Sequence, residues 1–485
     1  MRRLGSWSGL VGSAVLAAAL PAPAAPADPA DRIQLRPVRY ELDLLVDFKE
    51  ETVSGAARIL LRNDSSSPAA QASLLLYRLL TVRGVTNGAG SPVPFTQQIV
   101  AFEDEARRQV NRVVVPLAPP LPPGGEIVLR VEYGGYLAGY VETGSLYIKD
   151  RVDESFTILR EDAEAYPTVR VPSARVNRAA GLPDFDYLAR ITVPNTHVVA
   201  SGGSLVERTE RDGRATYVYR SVKPSWRMDF AIARYGVLER DGFKVYHFPE
   251  DVRSAERILE AARAVRSSYT KRFGPLPEIP SFAIIEIPDG WGSQADVTSI
   301  LQSAAAFKNP ERVGELYHEV SHLWNVRSTD PSFCRWNEGL AMFLEELSLE
   351  QLDGRVAVLP AARRTAAWLL ERAQTEPRLR SVPMIDYGRK EMTDYSYSVG
   401  MLMFQVLHAL VGPERFDRIV GGFFQEYRER GATTGEFVTY ARRIAGEEVD
   451  PLFRDWLYTT HWLEILSSGE AIEKIPGRYR RPEDR

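Results

Sequence analysis

His318-Glu319-Val320-Ser321-His322 constrains this chain more than any other stretch, because two histidines four apart cooperate only on a helical backbone. On a helix they stand one turn apart, about 6 Å along the axis, with both imidazoles on one face. Glu319 falls beside them, within reach of a water held at the same point. Glu338, in Trp336-Asn337-Glu338-Gly339, is the acid that a second helix can bring opposite. Two imidazoles and a carboxylate make a three-ligand set for one Zn2+ ion, with the fourth position open to water and substrate. An amphipathic helix with two surface histidines would carry the same pair. Only six histidines occur in 485 residues, however, and the third acid follows on cue.

The flanking residues predict the helix. Asn309 suits an N-cap and Pro310 the first helical position. Val313, Leu316, Val320 and Leu323 then recur as an apolar stripe, with the histidines off it. A second helix is expected after Asp330-Pro331, turning Leu340, Phe343, Leu344 and Leu347 inward and ending near Gly354. Glu338 sits in its first turns. Cys334 is the only cysteine, so no intrachain disulfide exists. It reads as a loop or core residue, since three better zinc ligands are present.

Before this region the chain reads as strands. Tyr40, Leu42 and Leu44 alternate with polar residues, as do Ile127, Leu129, Val131 and Tyr133. Turn signals separate the runs, including Pro116 to Gly125 with five prolines and two glycines, and no helix is expected there. Residues 33–240 are therefore expected to form an antiparallel β domain. Residues 241–470 change texture: a helix over Ser254 to Lys271, a strand over Phe282 to Ile287, a Gly-rich turn at Gly290 to Gly292, then mostly helices. Residues 471–485 read as a charged tail, frayed from Pro476 to Arg485.

The leader over residues 1–27 reads as a signal peptide: Arg2 and Arg3, an apolar run from Leu10 to Leu20 too short to span a bilayer, then Ala22-Pro23-Ala24. An uncleaved anchor is the alternative. Export to a bacterial periplasm or exterior is expected, with no transmembrane segment once the leader is removed. A net charge of −4 without a basic run excludes nucleic acid as an expected partner. With 44% hydrophobic and 26% charged residues, the chain reads as two or three soluble domains.

These residues resemble the gluzincin metallopeptidases typified by membrane alanyl aminopeptidase and leukotriene hydrolase. The likeness covers nearly all of the chain after the leader. Tyr40-Glu41-Leu42-Asp43-Leu44, Val199-Ala200-Ser201-Gly202-Gly203 and Met228-Asp229-Phe230-Ala231 are similar to that family's N-terminal β saddle. Phe273-Gly274-Pro275-Leu276-Pro277, Ala432-Thr433-Thr434 and Asp455-Trp456-Leu457-Tyr458 are similar to segments of its thermolysin-like domain. The resemblance implies an antiparallel β saddle followed by a mostly helical, thermolysin-like (α+β) catalytic domain. It implies His318, His322 and Glu338 as zinc ligands and Glu319 as general base. Tyr397-Ser398-Val399-Gly400 matches the family's tyrosine–glycine pattern and implies Tyr397 as the oxyanion donor; Tyr395 competes for that role.

Three departures qualify what the resemblance implies. Fifteen residues separate His322 from Glu338, fewer than the family usually has, and Ala341 stands at the usual position. A loop shortened around Arg327 to Arg335 accounts for this, with Glu345 and Glu346 as fallback ligands. The strand whose glutamate holds a substrate's free amine corresponds to Gly292-Ser293-Gln294-Ala295-Asp296, with alanine in the glutamate's place. Gly292, Gln294 and Asp296 are the expected substrate-binding residues, and the strand can pair with a substrate backbone. The chain also stops soon after Tyr458, implying a more open cleft. In the segment Arg160 to Pro167, similar to a saddle edge that reaches the cleft, Glu161 and Glu164 read as surface charges rather than amine anchors.

The expected activity is that of a zinc-dependent aminopeptidase removing N-terminal residues of peptides through a zinc-activated water. The alternatives are a broad peptidase or endopeptidase without free-amine preference, and a non-catalytic binding scaffold. Side-chain preference and oligomeric state have no signal in the sequence.

Overall fold

Alternating apolar residues build the first half of the molecule. Tyr40, Leu42, Leu44 and Val46 are buried on one face of the strand Leu35–Asp47, and the residues between them are partly or fully exposed. In the computed structural model the described residues are 33–139, 151–181, 183–277, 282–290, 293–296 and 298–480. The signal-peptide assignment to residues 1–27 falls outside them.

A seven-stranded sheet runs in the order Ser204–Arg211, Arg214–Arg220, Asp186–Pro194, Leu35–Asp47, Thr52–Asn63, Glu126–Tyr136, Leu80–Asn87. A three-stranded sheet, Ala69–Tyr77 with Gln109–Leu121 and Thr96–Ala101, covers its apolar face. A second small sheet joins Val198–Ala200, Phe230–Ala233 and Thr157–Leu159.

The expectation of an antiparallel, helix-free domain needs correction in three places. Leu35–Asp47 and Asp186–Pro194 pair in parallel, since the long connection between them lets the chain re-enter beside its first strand in the same direction. A helix, Ala174–Ala180, is started by Ser173, whose hydroxyl accepts from Val176 N. The proline-rich stretch is mostly strand: Gln109–Leu121 continues through Pro116, Pro119 and Pro120, with its ladder irregular between Gln71 and Ala69, so few backbone donors are needed there.

The second domain is built on a five-stranded sheet ordered Gly236–Arg240, Phe243–His247, Phe282–Ile287, Ser299–Ser303, Gln294–Ala295. Its three central strands are parallel and its two edge strands antiparallel to their neighbours. Gly236–Arg240 joins this sheet through Phe243–His247. The helix Val252–Phe273 buries Ile258, Leu259, Ala262, Val265 and Tyr269, the stripe read from the sequence. Most of the remaining chain is helical and shares one core with it. The end expected to fray is packed over its described part: Pro476 and Tyr479 are buried, and the Tyr479 hydroxyl accepts from Trp456 Nε1 at 3.0 Å. Among the described residues no helix is long and apolar enough to cross a membrane.

An apolar joint fixes the two domains together. Ile158, Ala231 and Ala233 pack with Tyr246, Ile285, Ile287 and Leu301. Hydrogen bonds reinforce it: the Thr298 hydroxyl donates to Gly202 O at 2.6 Å, and the Tyr235 hydroxyl donates to Glu286 O at 2.7 Å.

Glu286 is fully buried on the strand Phe282–Ile287, and burial pushes its carboxyl up to about 8, with Asp251 beside it adding to the rise. Its folded pKa lies above the ordinary carboxylate value, so the folded state keeps a proton that the unfolded chain releases. Stability therefore falls as pH rises from about 4.5 to about 8, by at most about 1.4 kcal/mol per pH unit. Glu286→Gln is expected to flatten that slope, read as urea midpoints at pH 5 and pH 9. An unchanged slope would exclude this group as its source.

Candidate metal centre

Asn309 starts the helical run, its side chain accepting from Glu311 N, with Pro310 at the first position of a short 3-10 turn. The histidine helix Val313–Ser321 follows, and a further 3-10 turn carries His322 to Trp324. Leu316 and Val320 go into the core with Ile284 and Ile300 of the sheet, which leaves His318 and His322 on the opposite side. The glutamate helix Trp336–Asp353 ends on Gly354 at φ 67, the left-handed stop that glycine supplies. Its start is held from a distance. Trp336 stacks on Phe437 with ring centres 4.3 Å apart, and Asp330 accepts from the N–H and hydroxyl of Thr434.

One oxygen of Glu338 sits between the two histidines: Oε2 is 3.6 Å from His318 Nε2 and 3.4 Å from His322 Nε2. Ligand atoms from His318, His322 and Glu338 all lie within 4.8 Å of one another, the only such group of three among the described residues. Each imidazole is oriented through its other nitrogen. His318 Nδ1 is 3.4 Å from Glu345 Oε2, and the Asn325 amide is 2.6 Å from His322 Nδ1. Burial pulls His318 down, but the carboxylates of Glu338 and Glu345 outweigh it and raise the imidazole to about 10. Burial likewise pushes Glu338 up, and the two imidazoles and Arg335 overcome it, holding the carboxyl far below its usual range. The donor set is thus short of positive charge. A dication with nitrogen and oxygen ligands fits it, and zinc takes this set.

Glu319 is buried next to these ligands and accepts no hydrogen bond among the described residues. Burial raises its carboxyl, against the pull of His322 and His318. The tyrosine helix Asp394–Val411 brings Tyr397 to the same place, its ring lying parallel to that of His318 with centres 6.3 Å apart. Tyr395 turns away and packs against Trp368. Gly339 and Gly400 set the spacing: a Cβ on Gly339 would stand 2.4 Å from Gly400 Cα. The two helices touch at this glycine pair, one residue after Glu338 and three after Tyr397.

Residues 298–456, which include every group just described, match the peptidase family M1 domain. This segment is similar to an M1 peptidase domain. The chain is 20% identical to glutamyl aminopeptidase of Rattus norvegicus and 21% identical to the mitochondrial aminopeptidase 2 of Saccharomyces cerevisiae. Those matches cover 90% and 92% of this chain and 48% of each relative, so the chain spans about half the length of the curated relatives it matches. Among solved structures it is similar to the M1 zinc metallopeptidase of Deinococcus radiodurans, at 19% identity and a TM-score of 0.62, covering 87% of this chain and 94% of that one. A mutant of that protein bound to a Tyr-Ser-Ala substrate gives a TM-score of 0.60 at 20% identity. The likeness supports an N-terminal β-rich domain followed by a helical one.

Within the matched segment, the short loop accounts for the shifted glutamate. Ala341 is buried in the core, and Glu338, one turn earlier, faces the histidines. Glu345 is not a substitute ligand; it orients His318. Glu346 is half-buried beside Glu345, which together with burial raises its carboxyl to about 7. Cys334 is buried and apart from the donor set, its carbonyl accepting from the Ser396 hydroxyl.

The expected substrate residues divide. Gly292 lies outside the described residues. Gln294, on the edge strand, has a buried Oε1 with no partner among the described residues. Asp296 is engaged at the domain joint, accepting from the Ser225 hydroxyl at 2.8 Å.

Two further expectations are overturned. Glu161 and Glu164 are buried, not surface charges, because Arg170 pairs with the first and Arg108 with the second. Burial raises Glu161 to about 7.

Sequence reasoning missed Asn325, Arg335 and the orienting role of Glu345. Spacing could have found them. Asn325 follows His322 by three residues, Arg335 precedes Glu338 by three, and Glu345 lies two helical turns after Glu338.

Proposed function

We propose that the chain is a zinc-dependent peptidase that hydrolyses N-terminal residues of peptides. The convergence of His318 Nε2, His322 Nε2 and Glu338 Oε2 beside the buried Glu319 carries this reading. Zinc bound there would act as a Lewis acid on a peptide carbonyl and lower the pKa of a water. Glu319, raised by burial, takes that water's proton and passes it to the leaving amine. The Tyr397 hydroxyl donates to the oxygen on which charge develops. Glu345 accepts at His318 Nδ1 and so favours the tautomer that presents Nε2, while Asn325 fixes the orientation of the His322 ring.

In this reading the N-terminal sheets are the family's saddle and the second domain its thermolysin-like unit, supported by the order of elements and the sequence likeness. Export rests on the leader's sequence.

A second reading is favoured by the edge strand. Ala295 offers no carboxylate, Asp296 is tied to Ser225, and Gln294 presents a neutral acceptor. A peptidase without free-amine preference fits those groups. Matched peptides with free and acetylated N-termini, given to the zinc-loaded protein, separate the two. Cleavage confined to free amines supports the aminopeptidase. Equal cleavage of both supports the broader enzyme, and cleavage of neither overturns both.

A further inference from the structure

The shortened loop ends on Arg335, whose backbone is left-handed at φ 61 and ψ 38. This is the N-cap of the glutamate helix. Ser, Asp or Asn there would accept a backbone N–H, and Gly or Asn would tolerate the left-handed backbone. Arginine does neither, and no side-chain cap hydrogen bond forms. The position therefore sacrifices local stability at the mouth of the site, where such strain is found when it serves a function.

The guanidinium shows what is gained. Arg335 Nη2 donates to Glu338 Oε1 at 2.6 Å and to the Tyr397 hydroxyl at 3.5 Å, and its Cζ stands 5.8 Å from the centre of the Tyr397 ring. The other oxygen of Glu338 is the one shared by the two imidazoles. One carboxylate is thus divided, with Oε2 toward the metal position and Oε1 toward arginine.

We infer that Arg335 is a positioning residue: it restricts Glu338 to one ligating oxygen and ties that ligand to Tyr397. The inference rests on the metal-centre reading above. Without the guanidinium, Oε1 is free to swing toward the metal position, and the ring of Tyr397 loses the cation against which it lies. Both hydrogen bonds leave the one nitrogen Nη2, so what lysine fails to reproduce is the planar guanidinium held against the Tyr397 ring.

Two variants test this without depending on a fragile fold. Arg335→Asn suits both the left-handed backbone and the cap, so its thermal midpoint should equal or exceed that of the parent chain. Its zinc affinity, measured by chelator competition in the absence of substrate, should nonetheless fall by about 10- to 100-fold. Its kcat should fall while KM stays within about threefold, the signature of an interaction used mainly in the transition state. Arg335→Lys should recover part of the zinc affinity and little of the kcat.

Parental zinc affinity in Arg335→Asn would overturn the inference, as would full rescue by lysine. Loss of stability in step with loss of zinc would show a structural role instead. If the parent chain binds zinc but cleaves no peptide, the peptidase reading fails, and the affinity ratio still decides the role of Arg335.

Discussion

Glu319→Gln is expected to bind zinc as the parent chain does and to lose about 10²- to 10⁴-fold in peptide turnover. Glutamine keeps the volume and the buried seat of Glu319 but cannot take up a proton. The side chain is not among the three converging ligands, so metal content should not change. The burial that raises the Glu319 carboxyl also moves it toward the pH at which a base can both accept and return a proton. Metal analysis and peptide hydrolysis on the same preparation check both halves. Parental turnover in Glu319→Gln would exclude it as the base, and zinc-free protein would mean that it helps to hold the ion.

Gly339→Ala should be at least as damaging, for a purely steric reason. A Cβ there would meet Gly400 Cα at 2.4 Å, Gly400 C at 2.5 Å and Met401 N at 2.7 Å, all backbone atoms that no rotamer change can move. Alanine favours a helix over glycine by about 1 kcal/mol, whereas overpacking a close contact costs about 1–3 kcal/mol. Three clashes with backbone put this site at the upper end or beyond, so the clash wins and the thermal midpoint falls. Activity should fall further than stability, because the glutamate and tyrosine helices must part and carry Glu338 away from Tyr397. Gly400→Ala is the milder control, since its nearest contact is Gly339 Cα at 3.0 Å. A Gly339→Ala chain with a raised midpoint and parental turnover would sink this account.

Much of this site was legible because it depends on local spacing. His318 and His322 share a face by helical periodicity alone, and Asn309, Pro310 and Gly354 mark helix ends through their own backbone preferences. The choice of Glu338 over the position held by Ala341 needed the resemblance as well, since a shortened loop is invisible until both helices are packed. Glu161 and Glu164 show the opposite case. Their charges read as surface because no periodic spacing points to their partners; Arg170 and Arg108 reach them from loop positions that only the fold brings close. The parallel pairing of Leu35–Asp47 with Asp186–Pro194 was equally hidden, since alternation reveals a strand but not its partner.

The sequence by itself singled out His318, His322, Glu338 and Glu319 and the change from strands to helices along the chain, because periodicity and capping act over a few residues. Only the tertiary structure decided that the Arg335 guanidinium reaches Tyr397 as well as Glu338, which tyrosine faces the site, and how closely the two helices approach. Those outcomes depend on groups far apart in the chain, joined by close packing at Gly339 and Gly400.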